Sequence, residues 1–318
     1  MLMRFGVLTS GGDAPGMNAA LRAVVRTAIH YGHHIYGIKN GYQGLIENDM
    51  VLLLREDVSG MLTKGGTFLG TARSKDFLKL EVRELAIRNL QKRNIDALIV
   101  IGGDGTFRGA QALIEMGVNV IAIPATIDND LGGTDFTIGF NTALNTIVEG
   151  IDKLRDTSSS HQRCSIIETM GREGGDLAIY AGICGGAEFI ITKQHSVDKD
   201  KMIQTLAQWK KEGRRQAIIV ATENIFNVHD LAEEITQKSG FATRATVLGY
   251  IQRGGAPVPQ DRVLATQLGV YAVELAMEGI YGVGVGVRQE TLVNAKVVDI
   301  LSEVDDRSPL YELVDKVS

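Results

Sequence analysis

Short runs rich in Val and Ile, each closed by glycine, alternate along this chain with longer stretches of helical period. That alternation constrains the fold more than any other feature. The runs read as strands at Phe5–Leu8, Ile35–Ile38, Ala97–Ile101, Val118–Ile123, Ser165–Ile167, Phe189–Thr192, Ala217–Ala221, Ala245–Tyr250 and Val283–Val287. Near-continuous apolar runs are what strands buried on both faces require. Helices are predicted at Met17–Tyr31, Phe107–Met116, Thr142–Asp156, Lys199–Glu212, Val228–Ser239 and Arg262–Glu278. In the third, Leu144, Ile147, Val148, Ile151 and Leu154 share one face. Strand–helix–strand repetition calls for right-handed crossovers and an α/β protein, its mainly parallel sheets layered between helices.

The chain has 318 residues, enough for about two domains of ~150. At 44% hydrophobic it supports a buried core and excludes a disordered chain. Glycine is abundant, 37 of the 318. It builds no core but allows tight turns and close backbone approach to a ligand. Lys plus Arg number 33 and Asp plus Glu 38, a net charge of −5 that argues against nucleic-acid or membrane partners. Cys164 and Cys184 form neither a metal spacing nor a disulfide framework. With no signal-type N-terminus and no apolar run near ~20 residues, a cytoplasmic protein is expected. Linker composition marks no boundary. A break is expected near Gly139, where the loop TIDNDLGGTDFTIG gives way to a long helix.

In open α/β sheets ligands gather at the carboxyl ends of strands, and four polar segments fall there. In LTSGGDAPGMN a strand enters Gly11-Gly12-Asp13 and a helix leaves, so exposed amides can attract phosphate. The Gly6 to Gly11 spacing is that of a phosphate loop, but Gly12-Asp13 stands where Lys-Ser/Thr is needed. The segment is either a phosphate loop without its lysine or a plain tight turn. In IGGDGTFRG, Gly102, Gly103 and Gly105 clear space for a polyphosphate and have no evident packing purpose. Asp104 between them can hold Mg2+ beside phosphates. In PATIDNDLGGTD, alternation along an extended segment would put Asp128 and Asp130 on one face, as a base and a metal- or water-holding partner. An Asx turn is the other reading. Finally, Arg73, Arg163, Arg172, Arg244 and Arg253 stand beside glycines or strand ends, and their guanidinium forks suit phosphate.

Together, LTSGGDAPGMNAA, GGTFLGTAR, IGGDGT, PATIDND, DTSSSHQR, MGREGG, ATVLGYIQRGG and PVPQDR make the chain resemble the bacterial ATP-dependent 6-phosphofructokinases from about Arg4 to Arg288. IGGDG alone is shared with NAD and lipid kinases; its combination with TIDND and IQRGG is far more specific. The resemblance implies two similar α/β/α domains with the active site in the cleft between them. The larger, ATP-binding domain would comprise 1–138 and 251–301, and the smaller, fructose-6-phosphate-binding domain 139–250 and 302–318. Gly12, Arg73, Ser74, Gly103, Asp104, Gly105 and Thr106 would line the ATP phosphates, with Mg2+ on Asp104. Asp128 would be the base toward the sugar 1-hydroxyl, and Arg172 would stabilise the transferring phosphoryl group. Thr126, Ile127, Asp130, Met170, Gly171 and Glu223 would hold the sugar and the reacting groups. Tyr250, Ile251, Gln252 and Arg253 would hold the 6-phosphate together with Arg163 and Arg244 of a neighbouring subunit, which implies a homotetramer.

Pyrophosphate-dependent relatives place Asp at the position of Gly105 and Lys at that of Ala125, so ATP is the expected donor. A pyrophosphate-dependent enzyme and a non-enzymatic sugar-phosphate sensor on the same fold are the alternatives. Arg22, Arg26, Arg55, Arg155, Gly186, Ala187, Glu188 and Arg214 match the family's site for ADP or phosphoenolpyruvate. However, Gly60 stands where Asp is common and Glu212 where Lys is common, so a weak effector response is expected. Arg155 and Arg163 flank a Ser-rich bend. Tyr250 stands where His is frequent, and its phenol donates a hydrogen bond without adding charge.

Overall fold

The computed structural model describes residues 2–317 apart from 73, 304 and 305. The chain opens with β1 (Arg4–Ser10), α1 (Met17–His30), β2 (His34–Ile38), α2 (Tyr42–Glu47), β3 (Met50–Leu52) and α3 (Leu80–Lys92). It continues through β4 (Ala97–Gly102), α4 (Asp104–Glu115), β5 (Val120–Thr126), the two-residue β6 (Ile138–Gly139) and α5 (Phe140–His161). Then come β7 (Cys164–Thr169), α6 (Asp176–Gly185), β8 (Phe189–Ile191), α7 (Lys199–Lys211), β9 (Ala217–Thr222), α8 (Val228–Ser239) and β10 (Thr243–Val247). A 3-10 turn at Gly249–Arg253 precedes α9 (Pro259–Met277), β11 (Val283–Arg288), β12 (Thr291–Lys296), α10 (Val297–Ser302) and α11 (Ser308–Val317).

The chain divides into two compact units: Met1–Thr142 with Arg253–Asp305, and Ala143–Gln252 with Asp306–Ser318. The first holds, among the described residues, an eight-stranded sheet in the order β12-β11-β5-β4-β1-β2-β3, with β6 paired to the end of β5. Its interior strands are parallel, and β12 and β3 close the edges antiparallel. The second holds a fully parallel sheet, β10-β7-β9-β8. Each sheet has its own core. Leu8, Leu98, Val100, Phe107 and Leu113 are wholly buried in the first, and Ile166, Leu206, Ile219, Ile235 and Phe241 in the second. Each such side chain contributes ~1.5–3 kcal/mol by leaving water. Among the described residues no helix is long and apolar enough to cross a membrane.

Several local expectations need correction. The strand expected at Ala245–Tyr250 runs Thr243–Val247 instead. Gly249 is left-handed (φ 54°), which breaks the ladder and puts Tyr250 on the 3-10 turn. The Ser-rich stretch is not a bend: Ser158–Ser160 complete α5, and the chain turns at left-handed Gln162 (φ 55°). Ser158 and Ser165 share a buried 2.6 Å hydrogen bond that ties the helix end to β7. The break expected near Gly139 falls at Thr142–Ala143, after β6 and the start of α5, and the chain crosses again after Gln252 and Asp305.

Candidate active site

In the first unit, β4 and β5 run side by side, with Gly102 opposite Pro124, and deliver two loops to one end of the sheet. After β4 the chain enters α4 through Gly103, and Asp104 occupies the first helical turn. A carboxylate there lies within the positive end of the helix dipole. Gly102 proves to be a packing residue. A Cβ on it would fall 2.3 Å from Thr106 Oγ1 and 2.5 Å from the Ser10 carbonyl. Gly103 is tight too, its Cβ position lying 3.2 Å from Thr126 Cβ, so the two loops touch. Gly105 differs from both: nothing lies within 4 Å of its Cβ position. The open face of the loop is therefore at Gly105. Thr106 is buried; its hydroxyl donates to Ser10 O (3.0 Å) and stitches α4 to the end of β1. Asp104 accepts from Arg108 Nε at 2.9 Å across one helical turn, which raises the Arg108 pKa.

The loop after β1 is held in the same way. Thr71 Oγ1 donates to Gly11 O (2.7 Å), and Ser74 Oγ donates to Gln43 Oε1 (3.0 Å). Arg73 lies outside the described residues. A Cβ on Gly12 would fall 2.1 Å from Arg253 Nη1, so the Arg253 guanidinium lies directly against this glycine. Beside these loops is a cavity of about 330 Å³ lined by Gly11, Tyr42, Ser74, Phe77, Gly105 and Arg108. Tyr42 and Phe77 stack at 4.2 Å, and the Tyr42 hydroxyl donates to Thr106 O (2.7 Å). Burial pushes the Tyr42 phenol pKa up. The sequence reading missed Tyr42, Phe77 and Arg108. They are far apart in the chain, and no local spacing links them.

The segment after β5 is bent, not extended. Asn129 is left-handed (φ 51°), so alternation does not carry from Asp128 to Asp130. Asp128 is 3% exposed, whereas Asp130 is open to solvent. The Asn129 side chain braces the bend. Asn129 Oδ1 accepts from Thr137 N (2.9 Å), and its Nδ2 donates to Asp135 O (3.3 Å). Thr126 Oγ1 accepts from Asp128 N (3.2 Å), and Thr137 Oγ1 donates to Thr126 O (2.7 Å). Ile127 is buried beside them.

In the second unit, the loop after β7 carries Met170, Gly171 and Arg172. Gly171 (φ 137°) and Arg172 (φ 49°) both have positive φ. A non-glycine residue held there signals a constrained loop. Glu223, just past β9, accepts from Arg172 N (3.3 Å). Gln252 is fully buried and is a scaffold residue: its Oε1 accepts from Met170 N (3.1 Å) and its Nε2 donates to Gly249 O (3.0 Å). Tyr250 and Ile251 on the adjoining turn are 82% and 63% exposed. Arg163 and Arg244 do not join this group. Arg163 immediately precedes β7, and Arg244 pairs with Ser165 at the start of that strand. At ~3.3 Å per residue they stand about 20 Å from the Met170–Arg172 loop.

Burial and then the Glu223 carboxylate push the Glu168 carboxyl pKa up, with His229 opposing. A folded-state pKa above the ordinary one disfavours the ionised form in the folded protein. The penalty is present above the raised pKa and disappears as pH falls below about 4.5. Glu168→Gln is therefore expected to raise the melting temperature by about 1–3 °C at pH 8 and by nothing at pH 4, the gain kept small by partial solvation. Paired melts at the two pH values check this, and a lower melting temperature at pH 8 contradicts it.

The residues matched to an effector site fall in both units. In the first, Arg22 and Arg26 lie one turn apart on α1. Burial, then the charges of Arg26 and Arg55, lower the Arg22 pKa from its ordinary value. Gly60 is left-handed (φ 71°) with open space around it. In the second, Arg155 Nη2 donates to the carbonyls of Gly185 and Gly186. Glu188 is nearly buried; it pairs with Arg214 and accepts from Ile218 N (2.6 Å). Arg214 lies 4.0 Å over the Trp209 ring. Ala187 is buried beside Glu188, and Glu212 accepts from Gln208 Nε2 (2.7 Å) at the end of α7.

Residues 4–276 match the family model for phosphofructokinase. The ATP-dependent 6-phosphofructokinase of Vibrio campbellii is 53% identical over 319 residues, covering 100% of both chains. That of Buchnera aphidicola subsp. Schizaphis graminum is 54% identical over 304 residues, 96% of this chain and 95% of the relative. The solved phosphofructokinase of Saccharomyces cerevisiae superposes with a TM-score of 0.87 at 35% identity, over 94% of this chain and 45% of the yeast chain.

Proposed function

Because the chain belongs to the phosphofructokinase family, we propose that it transfers the γ-phosphoryl group of ATP to the 1-hydroxyl of D-fructose 6-phosphate, giving fructose 1,6-bisphosphate and ADP. One observation carries this reading. An open glycine face at Gly105, next to Asp104, and a buried carboxylate, Asp128, follow neighbouring strands whose loops touch at Gly103 and Thr126. A loop with room for a phosphate donor and a buried carboxylate able to accept a proton share one sheet end, which supports this reading.

Phosphoryl transfer has a loose transition state, so positioning and charge neutralisation dominate. Gly12, Ser74, Gly103, Gly105 and Thr106, with Arg73, form the nucleotide side. Asp128 accepts the hydroxyl proton as the sugar oxygen attacks phosphorus and ADP departs. Thr126 fixes Asp128 by accepting from its N–H. Ile127 and Asp130 complete that segment. On the sugar side, Met170, Gly171 and Glu223 hold Arg172, whose guanidinium neutralises charge on the transferring phosphoryl oxygens. Tyr250, Ile251 and Arg253 serve the 6-phosphate, and Gln252 braces the Met170 loop beside them.

Among the described residues no group of three or more His, Cys, Asp or Glu could hold a metal. A lone carboxylate, Asp104, still fits Mg2+, which is commonly held by one or two carboxylates together with substrate phosphates and waters. When bound, Mg2+ neutralises phosphate charge.

Arg163 and Arg244 lie at the far end of their own sheet. That placement supports their serving Arg172's loop in a second copy, within a homotetramer. A cytoplasmic location accompanies this role. The engaged state of Glu188, Arg155 and Arg214 supports a weak effector response. ADP and phosphoenolpyruvate, each at 1 mM in the assay, are expected to change fructose 6-phosphate half-saturation by less than about threefold; a steep sigmoidal curve under phosphoenolpyruvate contradicts that. The function itself is tested by offering ATP or pyrophosphate to purified protein with fructose 6-phosphate and Mg2+, alongside sedimentation of the enzyme. Turnover with ATP alone supports the reading; turnover with pyrophosphate alone, or none, ends it.

A further inference from the structure

We propose that Asp261, the carboxylate of PVPQDR, is a positioning residue for phosphoryl transfer: by gripping Thr142 it fixes the start of α5 and the end of β6 that leads into it, and through β6 the turn from Thr126 to Asp128. The proposal rests on the reading of Asp128 as base, and it assigns a task to a motif the mechanism leaves unused.

Asp261 is completely buried in the first turn of α9. An acidic residue in that turn commonly reaches back to its own helix start. Asp261 instead caps a different helix. Its Oδ2 accepts from Thr142 N (2.8 Å) and Thr142 Oγ1 (2.5 Å), in the first turn of α5. Thr142 Oγ1 in turn accepts from Val258 N (3.0 Å) at the start of α9, so the two helix starts are locked reciprocally. Burial raises the Asp261 pKa, and the Thr142 hydroxyl opposes the rise. A buried carboxylate is costly to desolvate unless donors converge on it, and here the Thr142 N–H and hydroxyl both meet Oδ2.

The segment just before Thr142 leads directly to the proposed base. Gly139 is the parallel partner of Thr126, and Ile138 that of Ala125. Thr137, one residue before β6, donates to Thr126 O and to Asn129 Oδ1. Gly139 is left-handed (φ 104°) and packs against Ala14 and Pro15, where a Cβ would fall 2.7 Å from Ala14 Cβ. β6 is thus squeezed between the loop after β1 and the end of β5, and Asp261 anchors its outgoing end. A slip of β6 moves the Thr126 carbonyl and hydroxyl, and the Asp128 N–H bonded to that hydroxyl moves with them. Misplacement of a reacting group by about 1 Å costs up to ~100-fold in rate.

The test is kinetic, on the full-length enzyme. Asp261→Asn keeps the volume but offers one acceptor oxygen and turns an amide toward the donors. Its kcat is expected to fall about 10–100-fold, with KM for ATP within twofold, because Thr106 on the nucleotide loop is anchored to Ser10 O and not to β6. Thr142→Val, which removes only the hydroxyl bridge, is expected to lose about 3–10-fold, and Thr142→Ser to recover kcat to within twofold of wild type. A merely structural role would lower the folded fraction and leave kcat per folded molecule unchanged, and that result overturns the proposal. Should Asp261→Asn not fold, the Thr142 pair decides by itself. Asp128→Asn is assayed in parallel: if it stays active the base reading fails, whereas if it is inactive and the Asp261 and Thr142 variants turn over normally, only the positioning proposal fails.

Discussion

Asp128→Asn is expected to lower kcat by at least about 100-fold, the usual result of removing a positioned general base. The change is nearly isosteric, and Asp128 is 3% exposed in a turn set by backbone contacts, its N–H bonded to Thr126 Oγ1. Asparagine keeps that backbone bond and avoids the desolvation of a buried charge, so the variant should fold and melt at or above the wild-type temperature. Binding should change little, because the amide preserves the shape of the site. The loss therefore belongs in kcat, with KM for both substrates within about threefold, the pattern left by an interaction made chiefly in the transition state. Turnover within tenfold of wild type would mean that the sugar hydroxyl loses its proton to something else.

The contrast between Asp128 and Asp130 shows where sequence reasoning reaches and where it stops. The strands leading to the site were legible: Ala97–Ile101 and Ala217–Ala221 are unbroken apolar runs because both faces of those strands are covered. α6 was not, since it is apolar and small almost throughout, with Leu177, Ala178, Ile179 and Ala181 all fully buried. A helix without a polar face leaves no period to detect. Along PATIDND the side-chain alternation of an extended segment, one of two readings open from sequence, does not continue past the strand. A single left-handed residue, Asn129, ended it, and its cause is a contact eight residues away with Thr137. The glycines of IGGDG looked alike in sequence, yet Gly102 is excluded from carrying a side chain by Ser10 and Thr106, and Gly105 faces open space. Gln252 likewise reads as a polar binding residue, but burial makes it a brace for Met170. In each case the deciding partner is remote in the chain, so the identity of the residue could be read and its task could not.

Arg172→Ala should produce the other large loss, about 100–1,000-fold in kcat, the range seen when one preorganised donor to developing negative charge is removed. The backbone at this residue is constrained. Arg172 is held at φ 49°, a conformation unfavourable for a residue with a Cβ, and its N–H is tied to Glu223. Such strain of order 1–3 kcal/mol persists only where surrounding contacts enforce it. Alanine meets the same backbone penalty as arginine, so stability should hardly change and the effect isolates the guanidinium. The loops assigned to the nucleotide belong to the first unit and Arg172 to the second. KM for ATP should therefore stay within about threefold while turnover collapses. Arg172→Lys separates charge from geometry: an ammonium restores the charge without the fork, so it should recover about tenfold over alanine and remain well below wild type. Equal activity of the lysine variant and the wild type would reduce the role to charge alone, and wild-type turnover in Arg172→Ala would remove the residue from the reaction.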